Sequence, residues 1–267
     1  MAKSRNNRYR IRVLERAIRL LYALVDGEPR NLTQIAADIE LSNPTTFRLL
    51  ATLEEYRFVQ RSPDSSHFRL GPACLELARA YLESIDVRQA AMPILEELRE
   101  HTQETVHLAV LDQMRVFYLE KLPGFHSLGL MSSSVGSYIP AYCTGLGKAL
   151  LAHVPAEDVR KYYAEHKLEQ ITPTTITDVD TLLEQLDEVR QRGYAIDLGE
   201  REHEVYCVAA PIRAANGEVI AAISVSGPAY RMESQIEEEG LGRIVHEAAR
   251  SISILVADRG GRIALPR

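Results

Sequence analysis

Apolar residues recur at helical spacing near the start of the chain. Val13, Ala17, Leu20, Leu21 and Leu24 share one face of a helix predicted over residues 11–26. Asp26-Gly27-Glu28-Pro29 closes it, with glycine as the stop and proline beyond. Leu32, Ile35, Ala36 and Ile39 mark the inner face of a short helix over 32–40. After the turn Leu41-Ser42-Asn43-Pro44, a third helix is predicted to run to about residue 56. Ser42 or Asn43 caps it, and Pro44 sits in the first turn, where a missing N–H costs nothing. Thr46, Leu49, Leu50 and Leu53 form its inner face. Pro44, Phe47, Arg48, Ala51 and Glu55 lie opposite, flanked by Thr45 and Thr52. Two β-rich runs, 58–61 and 67–70, then enclose Ser62-Pro63-Asp64-Ser65-Ser66, the pattern of a hairpin.

Helical spacing resumes over 72–85 and 87–101 and then gives way to strands at 105–111, 115–121 and 127–131. Tyr138-Ile139-Pro140 leads to a helix over 147–153, followed by helices over 156–165 and 179–192. Strands are predicted at 194–198, 205–212 and 219–226, the last two joined by the hairpin signal Asn216-Gly217. A long helix over 232–256 ends the pattern, with Gly240 and Gly242 as weak points. Strand pairs with helices grouped outside them predict an α+β domain, an antiparallel sheet flanked by helices, rather than a doubly wound one.

Composition adds that 46% of the 267 residues are hydrophobic and 25% charged, enough for a real core in one large or two modest domains. No run of about 18 apolar residues offers a membrane span, and no apolar stretch follows the basic N-terminus as a secretory signal requires. Cys74, Cys143 and Cys207 are odd in number and far apart. Neither a disulfide framework nor a zinc ribbon is expected, and a reducing, cytoplasmic setting fits. The net charge of −6 argues against nucleic acid until the chain is split. Residues 1–71 carry 12 Lys and Arg against 8 Asp and Glu, a balance of +4; the remainder carries 19 against 29, a balance of −10. A basic head, including the arm Lys3, Arg5, Arg8, Arg10 and Arg12, suits a polyanion. Three helices and a hairpin, with a polar, basic outer face on the third helix, predict a winged helix-turn-helix over 1–71. The start of the third helix faces base edges, and Arg61 and Arg69 face backbone phosphates. Residues 72–86 read as a linker helix, whose apolar stripe serves either dimerisation or packing on its own domain, and 87–267 as the second domain.

A catalytic Cys207 needs a base and an electropositive setting, and His203, four residues upstream, is a weak candidate; an enzyme with an appended DNA-binding module is the alternative reading. Ser224 and Ser226 lack the context of a nucleophile elbow. Asp197, Glu202, His203 and Glu204 match no metal-ligand spacing, so no metal is expected. Gly145-Leu146-Gly147-Lys148 lacks the spacing of a phosphate loop, and no cofactor is expected. His107 and His126 read as structural.

Three segments are distinctive in order and spacing: Cys143-Thr144-Gly145-Leu146-Gly147-Lys148-Ala149-Leu150-Leu151-Ala152; Cys207-Val208-Ala209-Ala210-Pro211-Ile212; and, after Asn216-Gly217-Glu218, Ala221-Ala222-Ile223-Ser224-Val225-Ser226-Gly227-Pro228. With Phe47-Arg48-Leu49-Leu50-Ala51-Thr52-Leu53-Glu54 in the third helix, they closely resemble the IclR-type (isocitrate lyase regulator) family over residues 10–256. The resemblance implies a winged helix-turn-helix, a linker helix and a GAF-like effector domain. It implies a transcriptional regulator of a catabolic operon, binding duplex operator DNA as a homodimer or dimer-of-dimers tetramer under control of a small carboxylate or sugar acid. DNA contacts, read from the exposed face of the third helix, the wing and the basic arm, fall on Arg10, Ser42, Asn43, Pro44, Thr45, Phe47, Arg48, Thr52, Arg61 and Arg69. Carried over by position, the effector site falls on Gly145, Leu146, Asp197, Cys207, Ser224 and Ser226. Helix-start amides suit a carboxylate, and Ser224 and Ser226, two apart on a strand, share a face. Departures stand at Asn43 and Pro44, where the family often has a basic residue or Ser; at Thr46, for an aliphatic core residue; and at Leu198-Gly199, for paired acids.

Overall fold

Caps and core contacts decide where the N-terminal helices begin and end. In the computed structural model, which describes residues 10–62, 66–125, 131–237 and 240–258, α1 (Arg12–Tyr22) is shorter than its apolar pattern predicts. The chain leaves it in turns that run to Gly27, in the left-handed region at φ +82°. Arg30 holds this exit: its guanidinium donates to the Ala23 carbonyl at 2.5 Å and to Asp26, whose carboxyl it lowers to about 2. Next come β1 (Arg30–Asn31) and α2 (Leu32–Asp38). A reciprocal cap starts α2: the Gln34 amide donates to Asn31 Oδ1 and the Asn31 amide to Gln34 Oε1, both at 2.9 Å. The third helix is α3 (Asn43–Glu55).

The wing is β2 (Val59–Arg61) and β3 (His67–Leu70), with Val59 opposite Leu70. The turn residues 63–65 lie outside the described residues. The two-residue β1 adds to the far edge of β3, giving an antiparallel sheet in the order β1-β3-β2. Leu20, Leu24, Ile35, Ile39, Leu49, Leu50, Val59 and Phe68 form the core of this unit. Val13, expected to face inward, is 63% exposed, because the core closes over Leu20 and Leu24, about two and three turns further on. The chain divides into two compact units between Leu82 and Glu83, near the end of α4 (Pro72–Glu83).

The second unit holds α5 (Asp86–Thr102), β4 (Thr105–Asp112), β5 (Arg115–Leu122), β6 (Tyr138–Pro140), α6 (Gly145–Leu151), α7 (Ala156–Glu165) and α8 (Val179–Arg192). It continues through β7 (Ala195–Leu198), β8 (Val205–Arg213), β9 (Val219–Pro228), α9 (Ala229–Glu237) and α10 (Leu241–Asp258). The sheet is antiparallel in the order β6-β5-β4-β9-β8-β7. Alternation sends Cys207, Ala209 and Ala222 to a core shared with α6, α7 and α8, while α5 and α10 pack on the sheet through the alternate residues.

Four expectations shift. Residues 138–140 form a strand at the β5 edge rather than a lead-in to a helix. The helix expected at 147–153 begins at Gly145, because the Thr144 side chain caps it by accepting from the Gly147 amide at 3.1 Å. The long C-terminal helix is two helices, parted at Gly240 in the left-handed region at φ +69°. Of the strand expected at 127–131, residues 127–130 lie outside the described residues and Met131 is not in a strand.

Candidate functional site

Sheet register assembles the site in the second unit. Asp197 on β7 stands opposite Cys207 on β8, and Cys207 opposite Ser226 on β9, so the three form one row across the sheet. Ser224, two residues back on β9, faces the same way and pairs with His107 on β4. The start of α6 closes over this row. The approach is close at Gly145: a Cβ there would lie 2.8 Å from Cys207 Sγ and would push the thiol aside. Gly145, Leu146, Asp197, Cys207, Ser224 and Ser226 therefore all line one cavity of ≈ 50 Å³. Residues 131–133 form part of the wall. Ser132 donates to Glu202 Oε1 through its amide (2.8 Å) and hydroxyl (2.7 Å), and Lys121 donates to the Ser133 carbonyl at 2.6 Å.

Burial sets the electrostatics of the cavity floor. Asp197 is pushed up to about 6 by desolvation, against the pull of Lys148 and of amide donors. Those donors include the Glu200 amide at 2.8 Å and the Gly145 amide. The α6 amides expected to face a ligand are thus partly taken: Gly145 serves Asp197 and Gly147 serves Thr144. Beneath them Lys148, 1% exposed, pairs with Glu200 and donates to the Ile196 carbonyl at 3.0 Å and Gln185 at 3.1 Å. Burial lowers His107 to about 3, so it is neutral, with Ser133 Oγ 3.0 Å from Nε2 and Ser224 Oγ 3.4 Å from Nδ1. Burial and the Asp197 charge push the Cys207 thiol up to about 12.

These values weigh against a nucleophilic Cys207. Its thiol stays protonated, the side chain of His203 is exposed and does not line the cavity, and His107 is too weak a base to take its proton. Among the described residues no group of His, Cys, Asp and Glu could hold a metal ion. His107, read as structural, has hydrogen-bonding partners and also lines the cavity, as does Glu202, weighed only as a metal ligand; Tyr118, Ser132, Ser133 and Arg201, which sequence reasoning did not single out, line it too. For His107 the signal was available, because its strand pairs with the one carrying Ser224; for Ser132, Ser133 and Arg201, in irregular segments, and for Tyr118, on β5, there was none.

The first unit presents the second candidate surface. Ser42, Asn43, Pro44, Phe47, Arg48 and Thr52 are exposed on α3 and its cap, and Thr45 is half-buried. Phe47 is 52% exposed, a large apolar ring left in solvent beside Arg48. Ser42 caps by position without a side-chain bond to the backbone; its hydroxyl lies 3.0 Å from Thr45 Oγ1. The Thr52 hydroxyl donates to the Arg48 carbonyl at 3.1 Å. On the wing, Arg61 stacks 4.9 Å from the Phe68 ring centre, and Arg69 is exposed. Arg10 is exposed and pairs with Glu15 at 3.4 Å; Lys3, Arg5 and Arg8 lie outside the described residues.

Comparison with known proteins finds one family across both units. Residues 13–63 match the model of the IclR helix-turn-helix domain, and residues 79–254 that of the bacterial transcriptional regulator IclR C-terminal domain. The HTH-type transcriptional regulator BhcR of Paracoccus denitrificans is 33% identical over 249 residues, 93% of this chain and 88% of its own. The HTH-type transcriptional regulator KdgR of Escherichia coli is 32% identical over 234 residues, 88% of each chain. An IclR homolog from Microbacterium hydrocarbonoxydans, solved in complex with 4-hydroxybenzoate, superposes with a TM-score of 0.80 at 27% identity, covering 92% of this chain and 99% of its own.

Proposed function

Since this chain belongs to the IclR family of bacterial transcriptional regulators, we propose that it controls a catabolic operon and that a small organic acid, a carboxylate or sugar acid, sets its affinity for operator DNA. The observation that carries the reading is the convergence of Gly145, Leu146, Asp197, Cys207, Ser224 and Ser226, from four separate chain segments, on one cavity. The 4-hydroxybenzoate complex of the Microbacterium relative supports an acid in that class of domain. The protein acts by binding, not by turnover, and needs no cofactor. Its setting is the cytoplasm, where its DNA is; no described helix is long and apolar enough to cross a membrane.

DNA is read by the exposed face of α3, with Thr45 and Arg48 near base edges and Arg10, Arg61 and Arg69 on phosphates. Two half-sites call for a two-fold axis, hence a homodimer or a dimer of dimers. Exposed Ile11, Leu14, Ile18, Tyr22 and Val25, which share a helical face of α1 and its flanks, support such an assembly. The acid must bind the DNA-competent and incompetent forms unequally, since equal affinity shifts nothing. The test is a titration of metabolic acids against DNA affinity, followed by calorimetry on the Ser224→Ala/Ser226→Ala protein. An acid that shifts DNA affinity, is not consumed, and binds the double variant about 10-fold or more weakly supports the reading. Unaltered affinity for a confirmed effector places the site elsewhere.

A further inference from the structure

The cavity has an asymmetry of charge that the row of Asp197, Cys207 and Ser226 does not account for. Arg201 is the single guanidinium or ammonium group among the described lining residues. It sits in the irregular segment between β7 and β8, and both neighbours are tied elsewhere: Glu200 to buried Lys148, Glu202 to Ser132. Arg201 itself is half-buried and forms no ion pair with a described carboxylate. Its charge acts instead on neutral groups: the Cys143 thiol, to which it also hydrogen-bonds, and the Tyr118 and Tyr142 hydroxyls, of which Tyr118 lines the cavity. A half-buried arginine without an anion, lining a cavity, is a standing site for one, and its planar fork matches a carboxylate with two parallel hydrogen bonds. The rest of the polar lining does not welcome a second anion. Asp197 and Glu202 are acceptors that repel a carboxylate, while Ser224, Ser226 and Asp197 suit hydroxyl groups.

We propose that Arg201 anchors the carboxylate of the ligand, and that the cavity is built for a hydroxylated monocarboxylate: one carboxylate on Arg201, hydroxyls on Asp197, Ser224 and Ser226. This rests on the effector reading above and sharpens it, because it selects against dicarboxylates and against uncharged polyols. Whether the carbon frame is aliphatic or aromatic is decided by the probes.

The experiment is calorimetry on the full-length protein with glycolate, glycerate, gluconate and 4-hydroxybenzoate, set against glycerol and sorbitol as uncharged counterparts and malonate and glucarate as dicarboxylates. At least one hydroxylated monocarboxylate is expected to bind and to outcompete both counterparts. Arg201→Gln is expected to weaken it ~10- to 100-fold, and Arg201→Lys less, since the charge remains and the fork is lost. The melting temperature without ligand separates this loss from misfolding; should Arg201→Gln lower it, Arg201→Lys carries the test. Equal affinity in wild type and both variants overturns the role of Arg201 while leaving the effector reading intact. Tighter binding of a polyol or a dicarboxylate overturns the ligand class. Binding of none of the hydroxylated acids at millimolar concentration also overturns the class; a different acid that still shifts DNA affinity would then keep the effector reading alive.

Discussion

The two candidate surfaces of this protein are made in opposite ways. The face of α3 is contiguous: residues 42–52 place Ser42, Thr45, Arg48 and Thr52 by helical spacing alone, and the side chains stand in or near solvent. The cavity of the second unit is discontiguous. Its lining runs from His107 to Ser226, brought together by the pairing of β4 with β9, β9 with β8 and β8 with β7. The exposed surface gains from charge that water and salt screen, which suits a polyanion met reversibly. The cavity removes water, and its groups answer by shifting: Asp197 up, His107 down, Cys207 up. A surface that depends on local spacing tolerates change around it, whereas one that depends on register and desolvation does not.

The largest effect that can break this contrast is at Gly147. A Cβ there would lie 2.0 Å from the Ala141 carbonyl oxygen, a backbone atom that cannot move aside cheaply. Gly147→Ala is therefore expected to cost about 3 kcal/mol or more of the second unit's stability. Denaturant unfolding checks this, and a variant as stable as the parent would mean that the α6 start is not held as rigidly as the cavity requires.

Next in size is the pH dependence carried by Asp197. Its carboxyl titrates at about 6 in the folded protein against 3.8 for the free group, so the unfolded chain gives up the proton first as pH rises. The folded state is then penalised progressively between about pH 4 and 6, and by a constant amount above, about 3 kcal/mol at most. Asp197→Asn should be more stable than wild type at pH 8, with the gap closing as pH falls through 6 toward 4. A gap that stays constant with pH would show that Asp197 is not desolvated as the cavity geometry demands.

The smallest effect sharpens the other side. Arg48→Ala should weaken binding to the operator by about 1–3 kcal/mol if Arg48 reads a base, and non-specific DNA by less. Fluorescence anisotropy across a salt series separates the two; an equal loss on both DNAs, with a shallower salt slope, would reassign Arg48 to a phosphate.

Particular elements show how far the amino-acid pattern carried. α3 and the wing are legible because capping signals, 3.6-residue spacing and turn chemistry are all local. The β8–β9 hairpin is legible from Asn216-Gly217, with Gly217 in the left-handed region at φ +83°. α1 ends before its apolar run does, where Arg30 takes up the Ala23 carbonyl, a contact seven residues away that no periodicity reports. The six cavity residues came from resemblance of motifs. Arg201, Ser132 and Ser133, in irregular segments, and Tyr118, on an otherwise ordinary strand, carried no signal of their own.

By itself, then, the sequence determined which segments become helices and long strands, that a basic head precedes an acidic body, and that a hairpin joins the last two strands, because spacing, caps and turn residues act over a few positions. Only the tertiary structure decided that residues 30–31 and 138–140 become strands, since two or three residues have no alternation to read and exist as strands only beside β3 and β5. It alone decided that Asp197, Cys207 and Ser226 fall in one row, that Lys148 and Glu200 pair beneath them, and that Arg201 lines the same cavity. Register between distant strands and exclusion of water are properties of the assembled chain, and the chemistry of the cavity follows from both.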